Sequence, residues 1–211
     1  MKIRISLLVL FLSIFSNSSY AQEQKMSESE ITAFKQTVNA VSKKIKTLST
    51  DFVQYKHMDF LSKDIETSGK MIFKEPSLLI WQYKKPYNYT IVFKNGKILI
   101  NDEGKKSTVN AGNSKIFGKI NKLIVGSVSG DMFDDKEFTM TYFKTKNQNI
   151  TKFIPKDAAL KKYIKQIELT FDKEDATVVQ VKLVESSEDY TRIVLKNKVL
   201  NAKIDDSVFT N

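Results

Sequence analysis

Apolar positions recur at two different intervals along this chain. In "SESEITAFKQTVNAVSKKIK", Ile31, Phe34, Val38, Val41 and Ile45 fall on one face at helical spacing. Ser27, with Glu30 three residues on, has the spacing of a capping box. The pattern predicts an amphipathic helix over residues 28–47. "TDFVQYKHM" then reads as a strand, and from 65 to 110 apolar and polar residues alternate, which predicts several short strands. "KNGK" at 94–97 predicts a tight hairpin, because Asn-Gly suits a type I′ turn. "NSKIFGKINKLIVGSVSG", 113–130, breaks the alternation. There Ile116, Phe117, Ile120, Leu123 and Ile124 fit a second helix, although Gly118 weakens it. Strands resume with "EFTMTYFK", "NITKFIP", "YIKQIELTFD", "ATVVQVKLVE", "DYTRIVLKN" and "VLNAKI".

This order predicts an α+β architecture: one large, twisted antiparallel sheet with few helices. Alternation gathers Met71, Phe73, Leu79, Trp81, Tyr83, Tyr89, Ile91 and Phe93 on one face. Phe138, Met140, Tyr142, Ile167, Leu169, Phe171, Val179, Val181 and Leu183 continue that face in the later strands. Lys70, Lys74, Gln82, Lys94, Gln166, Glu168, Gln180 and Lys182 occupy the other, which is expected to be polar and wet. Two or three helices cover too little of so wide a sheet, so it should curl around them. The single tryptophan, Trp81, lies on the apolar face. That face is either an ordinary core or a surface for an apolar ligand.

Composition narrows the choice. The first residues have the form of a secretory leader: "MKIR", the apolar "ISLLVLFLSIF", then Ser19 and Ala21 at the small-residue cleavage positions. The expected organisation is a signal peptide over 1–21 and one domain over 22–211. The run is short for a membrane span, which needs roughly 20 apolar residues. With no cysteine in the chain there is no disulfide framework, no thiolate chemistry and no acylated lipoprotein cysteine. The net charge is +10, or +8 once Lys2 and Arg4 leave with the leader. The lysines are spread through every segment, which argues against nucleic acid and fits a basic surface or attraction to membrane headgroups.

The groups that catalysis needs are scarce. His57 is the only histidine, and it sits among Tyr55, Lys56 and Met58 on an expected strand. Asp134-Asp135 and Asp205-Asp206 read as solvated turns, and "NDEGKK" lacks the other glycines of a phosphate loop. The sequence carries no enzyme signature and implies no cofactor or metal.

The order of motifs resembles the LolA-type periplasmic carriers of outer-membrane lipoproteins. "LSTDFVQY" follows the first helix. Gly69, Phe73, Pro76, Trp81, Pro86 and "IVFKNGKIL" come next, then "FIPKDAALKKYIKQIELTFDKED" and the closing "IDDSVFT". The resemblance implies an incomplete, strongly curved antiparallel β-barrel of about 11 strands, with helices as a lid over an apolar cavity. It implies a monomeric periplasmic chaperone that takes the acyl chains of lipoproteins released by an inner-membrane ATP-driven transporter. Cargo then passes to an outer-membrane acceptor, whose identity the sequence does not give. Met71, Phe73, Leu79, Trp81, Tyr83, Ile91, Phe93, Met140, Ile167 and Leu169 would then line the acyl-chain cavity. Phe34, Val38, Val41, Ile116, Ile120 and Leu123 would form the underside of the lid. Many members hold the lid with an arginine directly before the proline matching Pro76; here that latch position is Glu75, of opposite charge. Two alternatives share the scaffold: a carrier of another amphiphile, such as a glycolipid or phospholipid, and a lipid-sensing module that regulates envelope stress.

Overall fold

The computed structural model describes residues 23–110, 126 and 132–210. Among them, twelve strands make one antiparallel sheet. They are β1 (Gln24–Lys25), β2 (Thr47–His57), β3 (Ile65–Lys74), β4 (Leu78–Lys85), β5 (Tyr89–Lys94) and β6 (Lys97–Asp102). β7 (Lys105–Asn110), β8 (Phe138–Lys144), β9 (Gln148–Pro155), β10 (Ile164–Asp172), β11 (Val178–Glu185) and β12 (Tyr190–Leu200) complete it. The spatial order is β1, β8, β9, β10, β11, β12, β2, β3, β4, β5, β6, β7. The sheet is strongly curved and does not close, leaving β1 and β7 at its edges. Helix α1 (Glu28–Ser42), the short α2 (Ala158–Lys161) and a 3-10 turn (Asp206–Phe209) complete the described elements. The leader and the expected second helix, with Ile116, Ile120 and Leu123, lie outside the described residues.

The register turns alternation into rows. Across β2 to β6, Leu48, Phe73, Leu79, Phe93 and Ile98 are successive neighbours on the concave face. The next row is Thr50, Met71, Trp81, Ile91 and Ile100. The third is Phe52, Gly69, Tyr83 and Tyr89. Gly69 has no side chain, and the Phe52 ring beside it meets Trp81 and Tyr83 edge-on, with centroids 4.9 and 5.1 Å apart. A second half-core, on β8 to β11, packs against α1 through Phe34 and Val38. Val41, Ile193 and Leu195 touch both halves.

Four expectations are corrected. The first helix ends at Ser42 and not at 47. The amides of Lys44 and Ile45 bond three residues back, to Val41 and Ser42, which tightens the last turn before β2 begins. Ile45 is still buried, which is why its spacing looked helical. "DYTRIVLKN" and "VLNAKI" are not two strands. They form the single β12, with a bulge between Lys196 and Val199, and the chain leaves the sheet at Asn201. A bulge where β11 meets Phe171 brings Val178 into the core, while Val179 is only half-buried. Finally, the convex face is not polar throughout. Ile80 and Val92 are buried there under Phe209 of the C-terminal turn, with Ile72, Leu78, Leu99 and Ile204 packed around them. Lys74 holds that turn, bonding the Ile204 carbonyl at 2.8 Å and Asp206 at 2.6 Å.

The predicted hairpin at 94–97 forms, and a second one follows it. Asn95 and Gly96 both have positive φ, 51° and 71°, which matches the type I′ geometry of "KNGK". Glu103 and Gly104 repeat it between β6 and β7, at 48° and 94°.

Gly69 is a close-approach position. A Cβ there would lie 2.0 Å from the Gln82 carbonyl oxygen and 2.8 Å from Tyr83 Cα. These are backbone atoms, so only a shift of β4 could make room. Gly69→Ala is expected to lower stability by about 3 kcal/mol or more, at the upper end of overpacking costs. Urea unfolding checks this; a midpoint equal to that of the unmodified protein would contradict it.

Candidate functional site

The two half-cores do not merge completely. Between them lies an apolar cavity of about 180 Å³. One wall is Leu48 of β2, Met71 of β3 and Trp81 of β4. The facing wall is Val178, Val181 and Leu183 of β11, with Ile193 and Leu195 of β12. Ile45, in the connection after α1, lies at the end beside the helix. Thr177, Thr191, Lys198 and Leu200 close the remaining side.

Two of the residues expected to face a ligand, Met71 and Trp81, line this cavity. Phe73, Leu79 and Phe93 are buried in the adjoining row, and Tyr83 and Ile91 pack beside it. Ile167 and Leu169 are fully buried beneath α1, with Met140 against them. Of the expected lid positions, Phe34 and Val38 press onto the β8 to β10 half, and Val41 bridges the two halves. Phe34 sits edge-on to Phe171 at 5.1 Å.

On the β12 side Thr191, Ile193 and Leu195 keep the alternation, whereas Lys198 and Leu200, beyond the bulge, break it. Lys198 reaches the cavity because the β12 bulge shifts the phase of the strand. The signal was Asn197, whose φ of 53° lies in the left-handed region that asparagine tolerates.

Some polar groups on the concave face are paired, while the buried hydroxyls of Thr67 and Thr151 have no hydrogen-bond partner among the described residues. The Tyr83 hydroxyl donates to Gln54 Oε1 at 3.1 Å. Burial pushes the Tyr83 phenol up to about 12, so it remains a neutral donor. Thr50 is fully buried and donates to the Lys196 carbonyl at 2.7 Å.

Glu75 does not face the cavity. It pairs at 2.6 Å with Lys46, on the connection between α1 and β2, and both side chains are largely exposed. His57 lies at the end of β2, with Nδ1 2.8 Å from Asp64 and its ring stacked on Tyr190. The hydrogen bond to Asp64 raises its pKa against the opposing effect of burial. It does not line the cavity. Among the described residues no His, Asp and Glu cluster could hold a metal ion, and no helix is long and apolar enough to cross a membrane.

With this geometry in view, comparison with known proteins is decisive at the level of family. Residues 43–211 match the family model described as "Outer membrane lipoprotein carrier protein LolA". The chain belongs to the LolA family. No curated protein matches the chain in sequence. Among solved structures it resembles MucB in the Pseudomonas aeruginosa MucA/MucB complex, at 9% identity and a TM-score of 0.53. That match covers 86% of this chain and 61% of the other, so this chain spans less than two thirds of MucB's length there. An uncharacterized conserved protein from Thermus thermophilus matches at 6% identity and a TM-score of 0.50, over 85% and 92% of the two chains. A LolA superfamily protein from Nitrosomonas europaea matches at 6% identity and a TM-score of 0.45, over 85% and 97%. At these identities the likenesses to MucB and to the Thermus thermophilus protein concern the fold alone.

The helix that covers half of this LolA-type sheet is tied down by charge at its N-terminus. Glu30 closes the capping box with Ser27 and pairs with Lys144 of β8. The hydrogen bond from Lys144, helped by the Ser27 amide, lowers the Glu30 pKa from 4.5 to about 2. A depressed carboxyl contributes stability above its unfolded pKa and loses it as pH falls through the folded value. The start of α1 should therefore loosen between pH 4.5 and about 2, seen as faster exchange of its first-turn amides relative to those of the sheet. In Glu30→Gln that added loosening should vanish; an unchanged pH profile in the variant would assign it to another group.

Proposed function

We propose that this protein carries the acyl chains of lipoproteins through the periplasm, from the inner membrane to an acceptor at the outer membrane. The leader over 1–21 would export it, and 22–211 would be the working domain. The observation that supports this best is the apolar cavity between the half-cores, with Met71 and Trp81 on one wall and β11 and β12 on the other. Family membership agrees with it. The carrier's task is binding and release, without a covalent step. An acyl chain in water costs about 0.8 kcal/mol per exposed CH₂, so a dry cavity supplies the driving force for loading.

Size sets a condition on the mechanism. Apolar cavities of about 150 Å³ take ligands the size of benzene. The cavity here, about 180 Å³, accommodates only part of an acyl chain. Loading therefore requires the walls to part. The parting elements are α1, which reaches the β2 to β6 half only through Val41, and flexible side chains such as Met71. An ATP-driven transporter at the inner membrane is the partner that this reading calls for.

A lipid-sensing regulatory module is the second reading, favoured by the likeness of fold to MucB. A carrier of glycolipid or phospholipid would use the same cavity. Binding separates these from an empty scaffold. A triacylated lipopeptide with bromine in its chains should quench Trp81 fluorescence saturably, because the only indole lines the cavity. Val181→Phe, which fills the space from the opposite wall, should abolish quenching while keeping the fold. Binding without quenching, or quenching that survives Val181→Phe, would take the site away from this cavity. Competition by phospholipid at equal affinity would favour the broader carrier.

A further inference from the structure

The cavity wall is interrupted by polar groups on one side. Lys198 lines it with its side chain only 15% exposed. Its ammonium donates to Asp175 Oδ2 at 2.9 Å and to the Thr177 hydroxyl. Thr177 in turn donates its hydroxyl and its amide to Asp175 Oδ1, at 2.7 and 2.8 Å. The three residues form a closed group with no net charge. Burial raises the Asp175 pKa, but the hydrogen bonds from Thr177 and Lys198 outweigh it and hold the carboxyl below its ordinary value. The ion pair therefore persists at neutral pH. An ammonium has three donors. Two are taken, and no protein acceptor for the third is found among the described residues.

We infer that Lys198, neutralised by Asp175, is the polar anchor of the cavity: it donates to the ester or amide carbonyl of a bound acyl chain and disfavours a free carboxylate. This rests on the acyl-chain reading above. A neutral carbonyl takes the remaining donor and leaves the pair intact. A carboxylate would bring a second negative charge next to Asp175, in a wall that is otherwise apolar and poorly solvated. Like charges beside an apolar wall repel, and Asp175, with its side chain 45% exposed, holds the solvated side of the pair, so the added carboxylate bears the desolvation cost. A plain hydrocarbon would leave the donor unused. The site thus separates chains attached by ester or amide bonds from free fatty acids of the same length.

The test uses glycerol monolaurate, N-methyl lauramide and laurate at neutral pH, with Trp81 emission and retention of probe after gel filtration as readouts. The ester and the amide should bind the unmodified protein about tenfold more tightly than laurate, the size of one charge-assisted hydrogen bond. Lys198→Met should weaken the ester and the amide by a similar factor and erase their advantage. Asp175→Asn leaves the ammonium unneutralised and should raise laurate affinity, reversing the order. That gain cannot come from unfolding, so it decides the matter if Lys198→Met fails to fold. Laurate bound as tightly as the ester, or an order that neither variant changes, would overturn the anchor while leaving the acyl-chain reading in place. Failure of all three probes to bind would overturn both.

Discussion

Much of this fold follows from the need to bury one face of a sheet that is wider than the helices among the described residues can cover. Twelve strands lie side by side. The helix α1 presses Phe34 and Val38 onto the β8 to β11 half, and only Val41 reaches across. The other half must bury its aromatics against something else. Curvature supplies the partner: the sheet bends until its two halves face one another, and Ile193 and Leu195 of β12 touch both. Apolar burial at roughly 25 cal/mol per Å² drives the bend. Because the two walls are strands of fixed spacing, they do not interdigitate fully, and the cavity is the space left over.

The frame around that space is stiff. Gly69 lets β3 and β4 approach closely, and Phe52 fills the gap with edge-on contacts to Trp81 and Tyr83. On the convex side, Phe209 covers Ile80 and Val92, so β4 and β5 are gripped from both faces. Trp81 is consequently held as a rigid wall. Adaptability is left to Met71 opposite β11 and β12 and to the helix end around Ile45. The proposed carrier role calls for that division. A rigid wall presents dry surface to a chain, and a loosely held cover lets the chain leave.

Much of this was readable because side-chain period and chemistry agreed. The alternation from Met71 to Phe93 became the rows of the concave face. Asn95-Gly96 made its turn, and Ser27 and Glu30 made their capping box. The motif order pointed to the family that the match over 43–211 shows. Some misreadings come from backbone irregularities that carry no apolar signal. The bulges at Val178 and Lys198 shift the phase of β11 and β12, so these two wall residues could not be read from alternation, whereas Val181 and Leu183 could. The end of α1 was hidden because Ile45 is buried for a reason other than helical packing. Phe209, read only as part of the motif "IDDSVFT", is a plug on the convex face. For the site, alternation identified the face but not the depth. Met71 and Trp81 reach the cavity, while Phe73, Leu79 and Phe93 are packed solid in the next row.

The central claim is that the space between the half-cores carries an acylated protein. Native mass spectrometry of the protein isolated from the cells that make it, without detergent, tests this most directly. The account predicts a bound species that carries both polypeptide and ester- or amide-linked acyl chains, and its loss in Val181→Phe. A protein that emerges bound only to free lipid or to a non-acylated polypeptide, or whose bound species is unaffected by filling the cavity, would contradict it.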